Sequence, residues 1–153
     1  MAFHEAGHAE TAINVGARVE SMELLCQGQR HYGRTSVTRT DAQRLHIAHG
    51  GFAAEYRLYI SKRLLKEDGQ APTEKEFIDY AVGNSYDDRI SYFGKAALAP
   101  LGAFSKAQDL EFMSYAIGRA QNKMRFELVE RIADALFAAG TLNADDLRAI
   151  VGG

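Results

Sequence analysis

Cysteine is almost missing from this chain. Cys26 stands alone, which excludes an intramolecular disulfide framework and any all-thiolate zinc site. Proline is nearly as scarce, with 2 in 153 residues, and no low-complexity tract occurs, so the composition is not that of a disordered segment. Neither sign of charge dominates. Lysine and arginine number 18 against 20 aspartates and glutamates, a net charge of −2 that lacks the broad basic surface of a nucleic-acid-binding domain. No run approaches the roughly 20 consecutive apolar residues of a membrane span, and no signal peptide precedes the first helical pattern. What is present is ordinary for a globular protein: 46% apolar and 25% charged residues. The expectation is one domain over 1–153, reduced and cytoplasmic, with a core of its own.

Ala2 to Val15 is alanine-rich and proline-free, with Gly16 where a helix would stop. It starts almost at the first residue, so either the chain begins here or a lead-in segment precedes it. Between Arg18 and Arg39 the texture suits two short strands, with Gly28 and Gly33 as turn or bulge residues. Thr40 and Gln43 form a capping box, and a long helical pattern follows to Lys66 across Gly50-Gly51. A glycine pair inside a helix lets another backbone approach closely. Thr73 with Glu76 opens a short helix ending at Gly83, and Ser85 caps another that stops near Gly94. From Ser105, with Gln108, an amphipathic pattern of Met113, Ile117, Ala120, Met124, Leu128, Ile132 and Leu136 runs to about Ala139. Asn143 caps a last helix, Ala144 to Ile150. The fold class expected is mainly α with a small β-hairpin, in a single compact helical domain.

The chemistry concentrates in His4-Glu5-Ala6-Gly7-His8, an H-E-x-x-H motif inside the first helical pattern. Residues four apart share a helix face, so both imidazoles can face one metal ion. Glu5, about 100° around the helix from His4, can reach a water activated by that metal rather than the metal itself. Two neutral histidines suit Zn²⁺, with an open position left for substrate and the glutamate as proton shuttle. A catalytic zinc needs a third protein ligand, and no histidine follows His8 at the short metzincin spacing. The residues themselves leave His31, His46, His49, Glu20, Glu23, Glu55, Asp87 and Asp88 open. His46 and His49 can make a second pair, although such histidines are more often partly buried helix residues. Asp87 and Asp88 also have a plain role as helix-start acids that complement the dipole.

Ala2-Phe3-His4-Glu5-Ala6-Gly7-His8-Ala9 resembles the zinc helix of the FtsH-type ATP-dependent zinc metalloproteases. Gly50-Gly51-Phe52-Ala53-Ala54-Glu55 is similar to that family's G-G-R-A-A-E helix, with Phe52 in place of the usual arginine. Gly83-Asn84-Ser85-Tyr86-Asp87 resembles its glycine-(small)-S-x-D segment, and Leu128 to Ile150 its closing helix and tail. The resemblance implies the fold of the FtsH peptidase domain and zinc bound by His4, His8 and Asp87. Asp88 is the adjacent alternative, one slip of register away, and Glu5 is the general base. It also implies a strand edge within Gln29 to Val37 that receives an extended peptide. Glu10-Thr11 departs from the family, which has apolar residues there, so packing behind the zinc helix must differ. The ATPase module and its phosphate-binding loop do not occur in this sequence.

The function expected is therefore a zinc-dependent endopeptidase acting on peptides or unfolded protein segments. The alternative is a catalytically inactive zinc-containing module that binds peptides or regulates. Expected partners are a peptide or unfolded protein substrate and a possible homo-oligomer, with no nucleic acid and no membrane segment.

Overall fold

The computed structural model describes residues 1–98 and 102–153. The H-E-x-x-H pattern lies on α1 (Ala2–Asn14), and every residue from His4 to Ala12 is buried. Its core side is built of small residues, Ala6, Ala9 and Ala12, so neighbouring elements come close. The closest approach is to Gly50. A Cβ on Gly7 would lie 2.1 Å from the Gly50 carbonyl oxygen, and one on Gly50 would lie 2.4 Å from that of Gly7. Only glycine fits on both sides of that contact, which is the physical reason for one half of the expected glycine pair.

The hairpin follows as β1 (Arg18–Gln27) and β2 (Arg30–Thr38), antiparallel, with a bulge between Val19 and Ser21. Gly28 sits in the turn at φ +65°. Gly33, expected at a turn or bulge, instead lies inside β2 opposite Leu24. A third strand, β3 (Thr141–Asn143), pairs with the other side of β1 through Met22 and Leu142. The small sheet thus has three antiparallel strands in the order β2-β1-β3, and β2 is an edge.

The expected long second helix is two helices. α2 (Asp41–Ala48) and α3 (Gly50–Ile60) are separated at His49, and α3 ends short of Lys66. α4 (Glu74–Asn84) and α5 (Tyr86–Phe93) follow, then a single 3-10 turn at Lys95–Ala97. The capping boxes at Thr40, Thr73, Ser105 and Asn143 all form both of their hydrogen bonds. Ser85 occupies the cap position of α5, but its side chain makes no capping bond and is fully buried.

The pattern expected to run unbroken from Ser105 to Ala139 is also divided, into α6 (Lys106–Asn122) and α7 (Phe126–Ala139). At the break, the Arg125 N–H donates to the Glu10 carboxylate of α1 at 3.1 Å. Glu10 is fully buried, and burial raises its pKa. Behind α1, then, a buried carboxylate holds the entry to α7. α8 (Ala144–Gly152) closes the chain.

Two clusters fill the interior. One joins α1, α3 and α7 to the sheet through Ala6, Ala53, Ile132, Leu136 and Met22. The other packs Phe52, Phe77, Phe112 and Ala116 between α3, α4 and α6. Among the described residues, no helix is long and apolar enough to cross a membrane.

Candidate metal centre

His4 and His8 lie on one face of α1, buried to 5% and 7% exposure. Their rings meet edge to face, and the two Nε2 atoms are 3.1 Å apart. Each ring is held from behind. His4 Nδ1 is 2.6 Å from a Glu55 carboxylate oxygen, and His8 Nδ1 is 2.7 Å from the Ile47 carbonyl. Carboxylate and carbonyl oxygens only accept, so both Nδ1 atoms carry the proton and both Nε2 atoms present lone pairs. Asn84 Nδ2 donates to the same Glu55 oxygen at 3.2 Å, which fixes that carboxylate in turn.

Asp88 completes the convergence. Its Oδ2 is 3.0 Å from His4 Nε2, and its Oδ1 is 3.2 Å from His8 Nε2. With the tautomers set by Glu55 and Ile47, two lone pairs and a carboxylate face one another without a donor among them. Such a cluster needs positive charge at its centre, a proton or a cation. Burial opposes charging His4, yet the carboxylates of Asp88 and Glu55 outweigh it and lift its pKa well above the usual 6.5. His8 moves the same way, with Asp88 again overcoming burial. Burial likewise works against the charged form of Asp88, but the two histidines hold its carboxyl well below the ordinary range.

The separation of the two imidazole nitrogens is close to that of ligands on a tetrahedral ion. Ligand atoms 2.0–2.1 Å from one centre at the tetrahedral angle stand about 3.3 Å from each other. Here the two Nε2 atoms are 3.1 Å apart, and the Asp88 carboxylate straddles them, Oδ2 at 3.0 Å from His4 and Oδ1 at 3.2 Å from His8. The donors are two imidazole nitrogens and one carboxylate, each imidazole backed by an acceptor, as is usual for zinc-ligating histidines. Among the described residues, His4, His8 and Asp88 form a group of metal-ligand type.

Asp87, which the resemblance favours, lines the same cleft but is exposed and stands outside the group formed by His4, His8 and Asp88. The reason is the phase of α5. Ser85 is buried in the joint between α4 and α5, and positions three and four beyond it, Asp88 and Arg89, share its inward face. Asp87 is one step, about 100°, off that face.

Glu5 stands beside the cluster against the sheet. Its Oε2 accepts from the Thr35 hydroxyl at 2.6 Å. Its chain lies flat on β2, where a Cβ on Gly33 would sit 2.3 Å from Glu5 Cγ. Gly51 does the same for His4: a Cβ there would lie 2.4 Å from His4 Nε2. Thus Gly50 makes room for the α1 backbone, and Gly51 for the His4 ring. Thr35, Gly33, Asn84 and the Ile47 carbonyl were not foreseen. Of these only Gly33 carries a sequence signal, a glycine inside a strand, which marks close approach.

The remaining candidates lie elsewhere. His31 is at the exposed hairpin end, Glu20 bonds Thr38, and Glu23 pairs with Arg34. His46 Nδ1 meets Arg119 at 3.0 Å. His49 is buried among Tyr92, Phe112 and Tyr115. Glu55 belongs to the site, but behind His4. The cleft that opens onto the cluster encloses about 430 Å³, with β2 along one wall and α2 along another. Comparison with protein-family models and with curated proteins finds no match.

Proposed function

We propose that this chain is a zinc-dependent endopeptidase, with His4, His8 and Asp88 as metal ligands and Glu5 as general base. The observation that carries the reading is the convergence of His4 Nε2, His8 Nε2 and Asp88 at 3.0–3.2 Å, with Glu5 beside them in the same open cleft. Zinc, when bound, supplies a Lewis acid that polarises a carbonyl and makes water acidic near neutral pH.

The rest falls to the chain's own residues. Glu55 and the Ile47 carbonyl hold the two imidazoles in the tautomer that leaves Nε2 free. The Thr35 hydroxyl anchors Oε2 of Glu5, which leaves Oε1 to take a proton from the attacking water. As the water oxygen bonds to the carbonyl carbon and the C–N bond breaks, Glu5 passes that proton to the departing amine. The free edge of β2 offers backbone N–H and C=O groups to an extended peptide, which would lie across Glu5. The order of the motif blocks supports kinship with the FtsH-type peptidase domain.

The test is Glu5→Gln beside the wild type. The variant is expected to fold, keep about one zinc per chain and lose hydrolysis of unfolded casein by at least about 100-fold. Zinc-loaded wild type that binds casein without cutting it would favour the inactive binding module instead. Turnover that survives Glu5→Gln would remove Glu5 as base.

A further inference from the structure

Building on the peptidase reading, we infer that the cleft selects peptide segments bearing an acidic side chain, recognised by Arg39 and Arg44. The inner charges of the cleft are already committed to one another: Asp88 to the histidines and Glu5 to Thr35. The rim is different. Arg34, Arg39 and Arg44 line it, with Asp87 the acidic residue outside the cluster. Arg34 is answered by Glu23 at 3.3 Å. Arg44 Nε is 3.7 Å from Asp41, whose side chain is 96% exposed, a loose pair that solvent screens. Arg39 has no carboxylate within ion-pair distance among the described residues. A chain of net charge −2 therefore places two weakly engaged guanidinium groups at the mouth of its cleft.

The strand geometry says where they act. Residues alternate across a strand, so Gly33, Thr35 and Val37 share the face that carries Glu5, and Arg39 continues that alternation just past the end of β2. Arg44 comes from the opposite wall, on α2. At about 3.3 Å per residue, Arg39 is roughly 13 Å along the strand from Thr35, and its long side chain can reach back. A peptide lying along β2 would bring an acidic side chain between the two arginines about two to four residues from the bond that Glu5 faces. The guanidinium fork matches a carboxylate and gains nothing comparable from an amide. An extended peptide, rather than a nucleic acid, fits the free strand edge beside the arginines.

The experiment uses zinc-loaded Glu5→Gln protein and fluorescein-labelled decapeptides read by anisotropy. One peptide carries two glutamates, one has glutamine in their place, and one has lysine. The glutamate peptide should bind about tenfold more tightly than the glutamine peptide, and the margin should shrink as salt rises. Arg39→Ala/Arg44→Ala should bring the margin to within about twofold, whereas Arg148→Ala, on the distant α8, should keep it. Arg39→Glu/Arg44→Glu should reverse the order in favour of lysine. Peptides that bind and are cut by wild type without charge preference would overturn this inference and leave the peptidase reading standing. A preference that survives both double variants would remove these arginines from the recognition. If no peptide binds and wild type cuts none, the peptidase reading falls and the inference with it.

Discussion

Two histidine pairs occupy neighbouring parts of the molecule in opposite surroundings. His4 and His8 on α1 meet two carboxylates, Asp88 and Glu55. His46 and His49, at the joint of α2 and α3, meet Arg119 and a wall of aromatic rings. The first pair is drawn toward positive charge, and its pKa values rise despite burial. The second is pushed from it. Burial, reinforced by Arg119, lowers His49 to about 4. Imidazoles at helical spacing do not make a metal site by themselves. Acceptors behind the rings and an anion in front of them do, and a guanidinium beside them prevents it.

The strongest way to break this contrast is to remove the anion. Asp88→Asn keeps the shape and takes away the charge, so zinc affinity should fall by at least about 100-fold, more than the 10–100-fold typical of losing an outer partner. Asp87→Asn should change it less than about twofold. A competitive zinc titration of both variants decides it. If Asp87→Asn proves the weaker binder, the α5 phase set by Ser85 does not govern ligation.

That choice between adjacent aspartates shows where sequence reading stops. The motif on α1 was legible because four-residue spacing fixes a shared helix face before any tertiary contact exists. The capping boxes at Thr40, Thr73 and Ser105 were legible for the same local reason, and all three are present; Asn143, read only as a cap, forms a box with Asp146 as well. The phase of α5 depends on Ser85 sinking into the α4–α5 joint, a long-range matter that S-x-D spacing does not carry. The break between α6 and α7 was hidden because Met124 and Leu128 keep the apolar period through it, while the Glu10 carboxylate that holds it is more than a hundred residues away. β3 is three residues long, too short for a pattern, and became a strand only by pairing with β1. Thr35 met Glu5 through the same kind of distant packing.

The second pair can be tested by pH. His49 is neutral in the folded state down to about pH 4, while in the unfolded chain it takes up a proton near 6.5. The unfolded state therefore binds more protons between those values, and acid favours it. The contribution is complete above 6.5 and declines as pH falls toward 4, by about 2 kcal/mol at pH 5. Chelator-treated wild type and His49→Gln, unfolded in urea at pH 7 and pH 5, should differ in acid sensitivity by roughly that amount. Equal slopes would mean that His49 is charged or solvated in the fold.

A smaller effect is expected behind His4. Glu55→Gln keeps an oxygen that can accept from Nδ1–H but loses the negative charge that makes the imidazole a better ligand. Zinc affinity should fall about tenfold, with metal stoichiometry unchanged. An unaltered affinity would mean that Glu55 serves only to pack against Asn84.

The smallest expected effect tests the contrast from its other side. His46→Gln/His49→Gln should leave zinc affinity within a few-fold of wild type, although it removes both remaining helix histidines near α1. His46 is committed to Arg119, whose guanidinium repels a cation at that point. His49 turns its ring into Tyr92 and Phe112, with centroids at 4.8 and 5.1 Å, and its Nε2 has no hydrogen-bond partner among the described residues. The double variant will be less stable, so zinc should be titrated at a temperature where circular dichroism shows it folded. Affinity within a few-fold there means that the α2–α3 pair acts through packing alone. A loss of tenfold or more, with the fold intact, would make His49 part of the metal site. Asp88 would then no longer be sufficient as the third ligand.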